Sequence, residues 1–190
     1  MLLIVGRTCV GKDTLTNALI KKGGLKMLKS YTTRPKRYES ENTHIFINPA
    51  LAGHIVDKVA TTRINGDEYF ATKDQLINND IYIIDPYGIK TLLTHCPDIS
   101  FQIIHVTAPK TLSKQKAINR SNNPDESTVF EKRYESENRQ FSEFEKISET
   151  TNDIAANCKI IYRFNNDFTI ESLNNAVDEI LSIIERGETT

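Results

Sequence analysis

The stretch Gly6-Arg7-Thr8-Cys9-Val10-Gly11-Lys12-Asp13-Thr14 constrains this chain more than any other. It follows the short apolar run Leu2-Leu3-Ile4-Val5 and opens a helical pattern, the strand-to-helix context in which a G-x-x-x-x-G-K spacing cradles phosphate. Gly6 and Gly11 permit backbone conformations that a side chain resists, so successive N–H groups can turn inward at a helix N-terminus. Lys12 supplies a mobile point charge for the β- and γ-phosphates of a nucleotide. After the lysine, where the pattern carries Ser or Thr, stands Asp13. Magnesium accepts carboxylate oxygen readily, so Asp13, directly or through water, or Thr14 can take the metal role. An early-turn carboxylate equally suits the positive end of a helix, and both readings of Asp13 stay open.

A length of 190 residues suits one domain with a real core. The net charge of -1 lacks the basic excess of a nucleic-acid binder, so no nucleic-acid partner is expected. Cys9, Cys96 and Cys158 are too scattered for a disulfide framework or a zinc knuckle and fit a reducing cytoplasm. The N-terminal apolar run is too short for a signal peptide or a membrane span, so no membrane association is expected.

The pattern along the chain alternates strand and helix. A first helix ends at Gly23-Gly24, and Lys26 to Tyr31 reads as strand leading into an exposed loop. His44-Ile45-Phe46-Ile47, Lys58 to Ile64 and Asp67 to Thr72 are short β-prone runs, with Asn65-Gly66 as a hairpin turn. A helix over Lys73 to Asn79 precedes Ile81-Tyr82-Ile83-Ile84-Asp85, apolar on both faces as buried parallel strands are. Open α/β sheets bind ligands beyond the carboxyl ends of their strands, which places Asp85 near the phosphate loop. Helix from Pro86 to His95, strand from Phe101 to Val106 and helix from Pro109 to Arg120 continue the βαβ alternation. Ser121 to Glu126 is polar and rich in breakers, a natural lid. Thr128 with Glu131 offers a capping box for a long charged helix through about Glu149, most of whose charges read as a solvated face. Strand from Cys158 to Phe164 and a helix from about Thr169 close the chain.

Beyond the loop, Arg34-Pro35-Lys36-Arg37 places two guanidinium forks at a spacing that suits one phosphate. Lys12, magnesium, Asp85 and these arginines supply the positioning and charge neutralisation that phosphoryl transfer needs, without a separate base.

With these residues in view, the sequence resembles the guanylate kinases, within the nucleoside monophosphate kinases of the P-loop group. Ser30-Tyr31-Thr32-Thr33-Arg34-Pro35-Lys36-Arg37 is similar to the family's Ser-x-Thr-Thr-Arg-x-Pro-Arg acceptor signature, with the proline displaced by one. The resemblance implies that Ser30 contacts the base and that Arg34 and Arg37 bind the acceptor phosphate. It puts His44 in place of a phosphate-contacting tyrosine, and Glu39 or Glu41 where an acid follows the second arginine. Asn65 to Thr72 resembles the family's Gly-Asn-Tyr-Tyr-Gly-Ser/Thr segment, implying a base contact for Thr72 and a missing hydroxyl at Phe70. Asp85-Pro86-Tyr87-Gly88 keeps the second acid of an Asp-Ile-Asp-x-x-Gly segment, and Lys116 with Arg120 matches an Arg-x-x-x-Arg pair beside the lid. Arg120 and Arg133 would clamp the phosphates being exchanged. The guanine-reading glutamate of the family falls near Ala60 or Thr61, neither of them acidic.

The fold implied is α/β: a single P-loop kinase domain over 1–190 with a parallel sheet flanked by helices. Its core spans about 1–29, 80–118 and 129–190, with an inserted acceptor-binding β region at about 30–79 and a short lid at about 119–128. The function implied is transfer of a phosphoryl group from ATP, with Mg2+, to GMP or dGMP, or to another nucleotide or small phosphorylated acceptor; the third reading is a guanylate-kinase-like interaction module without turnover. Catalysis falls to Lys12, Arg34, Arg120, Arg133 and Asp85, donor binding to Gly6 through Thr14, and magnesium to Asp13 and Asp85. The acceptor falls to Ser30, Arg34, Arg37, Glu41, His44 and Thr72. A cytoplasmic monomer acting on small-molecule nucleotides is expected.

Overall fold

The computed structural model describes residues 1–187 apart from Asn65 and Asn122, so the turn at Asn65 and the lid position at Asn122 lie outside the described residues. The chain begins with β1 (Leu2–Val5), α1 (Lys12–Gly23), β2 (Tyr31–Thr32), β3 (Ile45–Phe46) and α2 (Pro49–Ala52). It continues through β4 (Lys58–Ile64), β5 (Asp67–Thr72), α3 (Lys73–Ile77), β6 (Ile81–Ile83) and α4 (Pro86–His95). Strand β7 (Phe101–Thr107), α5 (Lys110–Arg120), α6 (Glu126–Thr150), β8 (Asp153–Ala155), β9 (Cys158–Asn165) and α7 (Ile170–Arg186) complete it.

Strand β1 is buried on both faces, and its period-two alternation serves two cores at once. Leu2 and Ile4 pack with Leu15 and Leu19 of α1 and with Val177 and Ile180 of α7. Leu3 and Val5 face the other way, into a cluster that holds Leu92 of α4 and Phe141 and Phe144 of α6. Each such side chain contributes about 1.5–3 kcal/mol through burial, so a charged residue at Ile4 would break the sheet where the phosphate loop starts. The five strands run β6-β1-β7-β9-β8. The first four are mutually parallel, and β8 pairs antiparallel at the edge. The architecture is therefore α/β, a mostly parallel sheet with helices on both faces.

Residues 31–72 build a second sheet, ordered β3-β2-β5-β4. It shares a core with the first: Val59, Ala60 and Ala71 pack with Ile84, Ile89 and Leu92. That shared core fixes the second sheet against the carboxyl end of β6, which is where a cleft opens.

Three local features depart from the sequence pattern. Helix α6 starts a half-turn before Thr128, with Asp125 at its N-cap and no side-chain cap bond. Glu131 does not close a capping box because Lys110 and Lys114 of α5 claim its two oxygens, at 2.7 and 2.8 Å. The strand expected over Lys26 to Tyr31 reduces to a single parallel bridge from Met27 to Ile81 before β2.

Candidate active site

The phosphate loop connects β1 to α1 and is held from three sides. Behind it, Asn166 at the end of β9 donates from Nδ2 to the Val10 carbonyl at 2.8 Å and accepts the Phe168 N–H at the same distance. Gly11 adopts φ 97°, and a Cβ there would stand 2.3 Å from the Asn166 amide nitrogen. Gly6 is required for a different reason than the sequence pattern implies. Its φ is not positive; a Cβ would meet the Val106 carbonyl oxygen at 2.3 Å, so the glycine admits close approach of the loop to β7. The second left-handed residue of the loop is Cys9, at φ 60°.

Inside the loop, Lys12 Nζ donates to the Gly6 and Arg7 carbonyls, each at 2.7 Å. Burial pulls the ammonium below its ordinary pKa. Asp13 and Thr14 stand exposed in the first turn of α1.

The third side is α6, a contact the sequence pattern hid. Arg7 leaves the loop outward, donating from Nε and NH2 to Glu145 at 2.7 and 2.8 Å and from NH1 to Asn138 at 2.8 Å. Its guanidinium lies over the rings of Tyr134 and Phe141. The hydrogen bond to Glu145 raises the Arg7 pKa further above its ordinary value. One residue on, the Thr8 N–H donates to Glu137 Oε2 at 2.8 Å. Tyr134, Glu137, Asn138, Phe141 and Glu145 are spaced by three, four, seven and eleven from the first, a single helical stripe. Counting that stripe, two aromatics among charges, was the available signal.

Across the cleft, Arg34 is fixed by Glu41. NH2 meets Oε1 at 2.7 Å, NH1 meets Oε2 at 3.2 Å and the Pro35 carbonyl at 2.7 Å, and Nε donates to the Tyr69 hydroxyl at 3.2 Å. Arg37 is more open, its NH1 4.0 Å from Glu41 Oε1. Burial, then the charges of Arg34 and Arg133, lower its pKa. Glu41 is 2% exposed and accepts the Arg37 N–H at 2.6 Å as well as a bond from Thr43. Its oxygens are thus filled, and it positions the two arginines where a direct contact to acceptor was expected. Thr72 is likewise committed: it caps α3, accepting the Gln75 N–H, and does not line the cleft. Ser30 Oγ pairs with His44 Nδ1 at 2.9 Å, and burial lowers the His44 pKa. Tyr69, whose hydroxyl reaches Arg34, supplies the phenol that Phe70, fully buried against Tyr31, cannot.

Asp85 follows β6, one residue past Ile84, whose N–H bonds the Ile4 carbonyl. Its Oδ1 accepts the Tyr87 and Gly88 N–H groups and so caps α4. Burial raises its pKa. These bonds commit Asp85 Oδ1 to the N-terminus of α4, where a place beside the loop was expected. Arg120, at the end of α5, donates to Cys9 Sγ at 3.0 Å.

The two walls enclose a cleft of ≈ 980 Å³. All loop residues from Gly6 to Thr14 line it except Arg7 and Val10; Ser30, Arg34, Arg37 and His44 face them, with Asp85, Arg120 and Arg133 at the sides. Of the positions near the absent guanine-reading acid, Ala60 is buried at φ 53° in a bulge of β4, and the Thr61 carbonyl turns to Thr91 of α4. Thr62 is the one of the three that reaches the cleft.

No protein-family profile and no curated protein sequence matches the chain. Solved structures do. Guanylate kinase from Anaplasma phagocytophilum superposes with a TM-score of 0.52 at 12% identity, covering 100% of this chain and 86% of that one. Shikimate kinase from Acinetobacter baumannii, in complex with shikimate, gives 0.48 at 10% identity, covering 100% and 94%. The chain has the P-loop kinase fold.

Both glycine positions of the loop are closed to any side chain, and the Lys12 ammonium folds back onto two loop carbonyls, an arrangement with the chemistry to receive phosphate. Among the described residues no three His, Cys, Asp or Glu side chains gather to hold a metal. Magnesium in such a site keeps several waters and takes one or two carboxylates plus substrate phosphates, so a single acid is enough. Asp13 at the cleft wall meets that need. No helix among the described residues is long and apolar enough to cross a membrane.

Proposed function

We propose that this protein transfers the γ-phosphoryl group of ATP to a nucleoside monophosphate, with GMP or dGMP as leading acceptor. One observation carries the reading: a phosphate loop containing Lys12 and a pair of arginines fixed by a buried acid face each other across one cleft. A binding module for one partner has no use for two opposed anion sites.

In this reading the loop N–H groups and Lys12 bind the donor phosphates. Asp13 holds magnesium, which when bound neutralises phosphate charge. Arg37 grips the acceptor phosphate with its exposed fork, while Arg34, with four of its five N–H groups engaged, contributes charge and one donor. Arg120 and Arg133 flank the path between them. Transfer of this kind rests on alignment and electrostatic stabilisation, so no base is required. On the acceptor wall, among the described residues, Asp67 and Asp85 are the carboxylates that line the cleft, and Asp85 Oδ1 is already engaged by the α4 N-terminus.

A coupled ADP-release assay with ATP against all ribo- and deoxynucleoside monophosphates tests this. Turnover with one or more purine monophosphates supports it. ATP binding without turnover on any of them leaves a kinase for another acceptor, and absence of ATP binding points to an interaction module.

A further inference from the structure

Glu137 projects from α6 into the mouth of the phosphate loop, where Oε2 accepts the Thr8 N–H at 2.8 Å. The charged groups around it are Lys12 and Arg7 of the loop segment and Arg133 one turn back on α6. In loops of this pattern the lysine reaches the β- and γ-phosphates. An acid drawn toward Lys12 and bonded to a loop amide therefore holds ground that a terminal phosphate needs. One N–H does not serve two anionic oxygens at full strength, and two anions at that range repel.

The helix cannot simply retreat. Glu145 and Asn138, on the same stripe of α6, hold Arg7 through three hydrogen bonds, so moving α6 away from the loop would break all three. Rotation of the Glu137 side chain, which breaks only the Thr8 bond, is the smaller change.

We propose that Glu137 is a built-in competitor of the donor's terminal phosphate, weakening triphosphate binding relative to diphosphate. A diphosphate ends at the β-position and leaves the Thr8 N–H to the carboxylate. When a triphosphate enters, Glu137 gives up Thr8, and the Arg133 charge that favours the carboxylate is left to the phosphate. The effect lowers the donor-to-product affinity ratio, so that diphosphate competes more strongly with triphosphate for the loop. This inference rests on the donor reading given above.

Calorimetric titration of the wild type, Glu137→Gln and Glu137→Ala with ATP and with ADP, each with Mg2+, tests it. Both variants are expected to bind ATP about tenfold more tightly, the scale of one partly screened like-charge contact, and ADP within about twofold of wild type. Unchanged or weaker ATP binding, or equal tightening of ATP and ADP, overturns the competitor and leaves the donor reading standing. Failure of all three proteins to bind either nucleotide overturns both.

Discussion

Glu41 holds Arg34 by both carboxylate oxygens while its Oε2 also accepts the Arg37 N–H, so one buried acid sets the positions of two cations on the acceptor wall. The Arg34 guanidinium, first among the causes, holds the Glu41 carboxyl down to about 2 from an ordinary 4.5. A folded-state pKa below the unfolded one means stability present above the unfolded value and lost as pH falls toward the folded one. The scale of that shift is about 3 kcal/mol. Glu41→Gln should therefore destabilise by about that amount at neutral pH, read by urea unfolding, and the gap to wild type should close between pH 4.5 and 2. A gap of the same size at pH 7 and pH 2.5 contradicts the pairing.

Lys12→Ala deletes the charge that follows the transferring group. Turnover should fall by about 10²- to 10³-fold, the range for loss of one preorganised stabilising group, while far-UV circular dichroism stays as in wild type. Unchanged kcat at saturating ATP contradicts the phosphate-loop assignment.

Asp13→Ala separates the two uses of that carboxylate. If it lies in the magnesium shell, the variant needs more Mg2+ for half-maximal turnover while ATP binding measured without metal is unaltered. Equal losses with and without magnesium indicate a helix-terminus role instead.

Base discrimination should be weak. Glu41 and Thr72 are spent on Arg34 and on the α3 cap, and no acid stands at Ala60, Thr61 or Thr62. AMP or dAMP should be phosphorylated within about a hundredfold of GMP in kcat/KM, as for a pocket without a dedicated polar reader. Rejection by more than about ten-thousandfold shows that another residue, Asp67 or Asp85 first, reads the base.

Much of this was legible in the chain. The run Leu2 to Val5, the glycines and Lys12 specify strand, loop and helix because their local preferences agree with the fold. Arg34 and Arg37, paired by type and spacing, do stand together on one wall of the cleft. What pattern could not give were partners far apart in sequence. Arg7 with Glu145, Thr8 with Glu137 and Val10 with Asn166 join residues that only the packing of α6 and β9 against the loop brings together. Glu41 and Thr72 show the converse: the resemblance implied a ligand contact, while in the fold a nearby guanidinium and an open helix end engage them.

The most direct test of two opposed phosphate sites is hydrogen exchange with and without a bisubstrate analogue, adenosine and guanosine joined by a pentaphosphate. Protection is expected in the Gly6 to Asp13 loop, across the second sheet around Arg34 to His44, and in the connection between α5 and α6, as both walls close on one ligand. Protection confined to the Gly6 to Asp13 loop would contradict a kinase that holds two nucleotides at once.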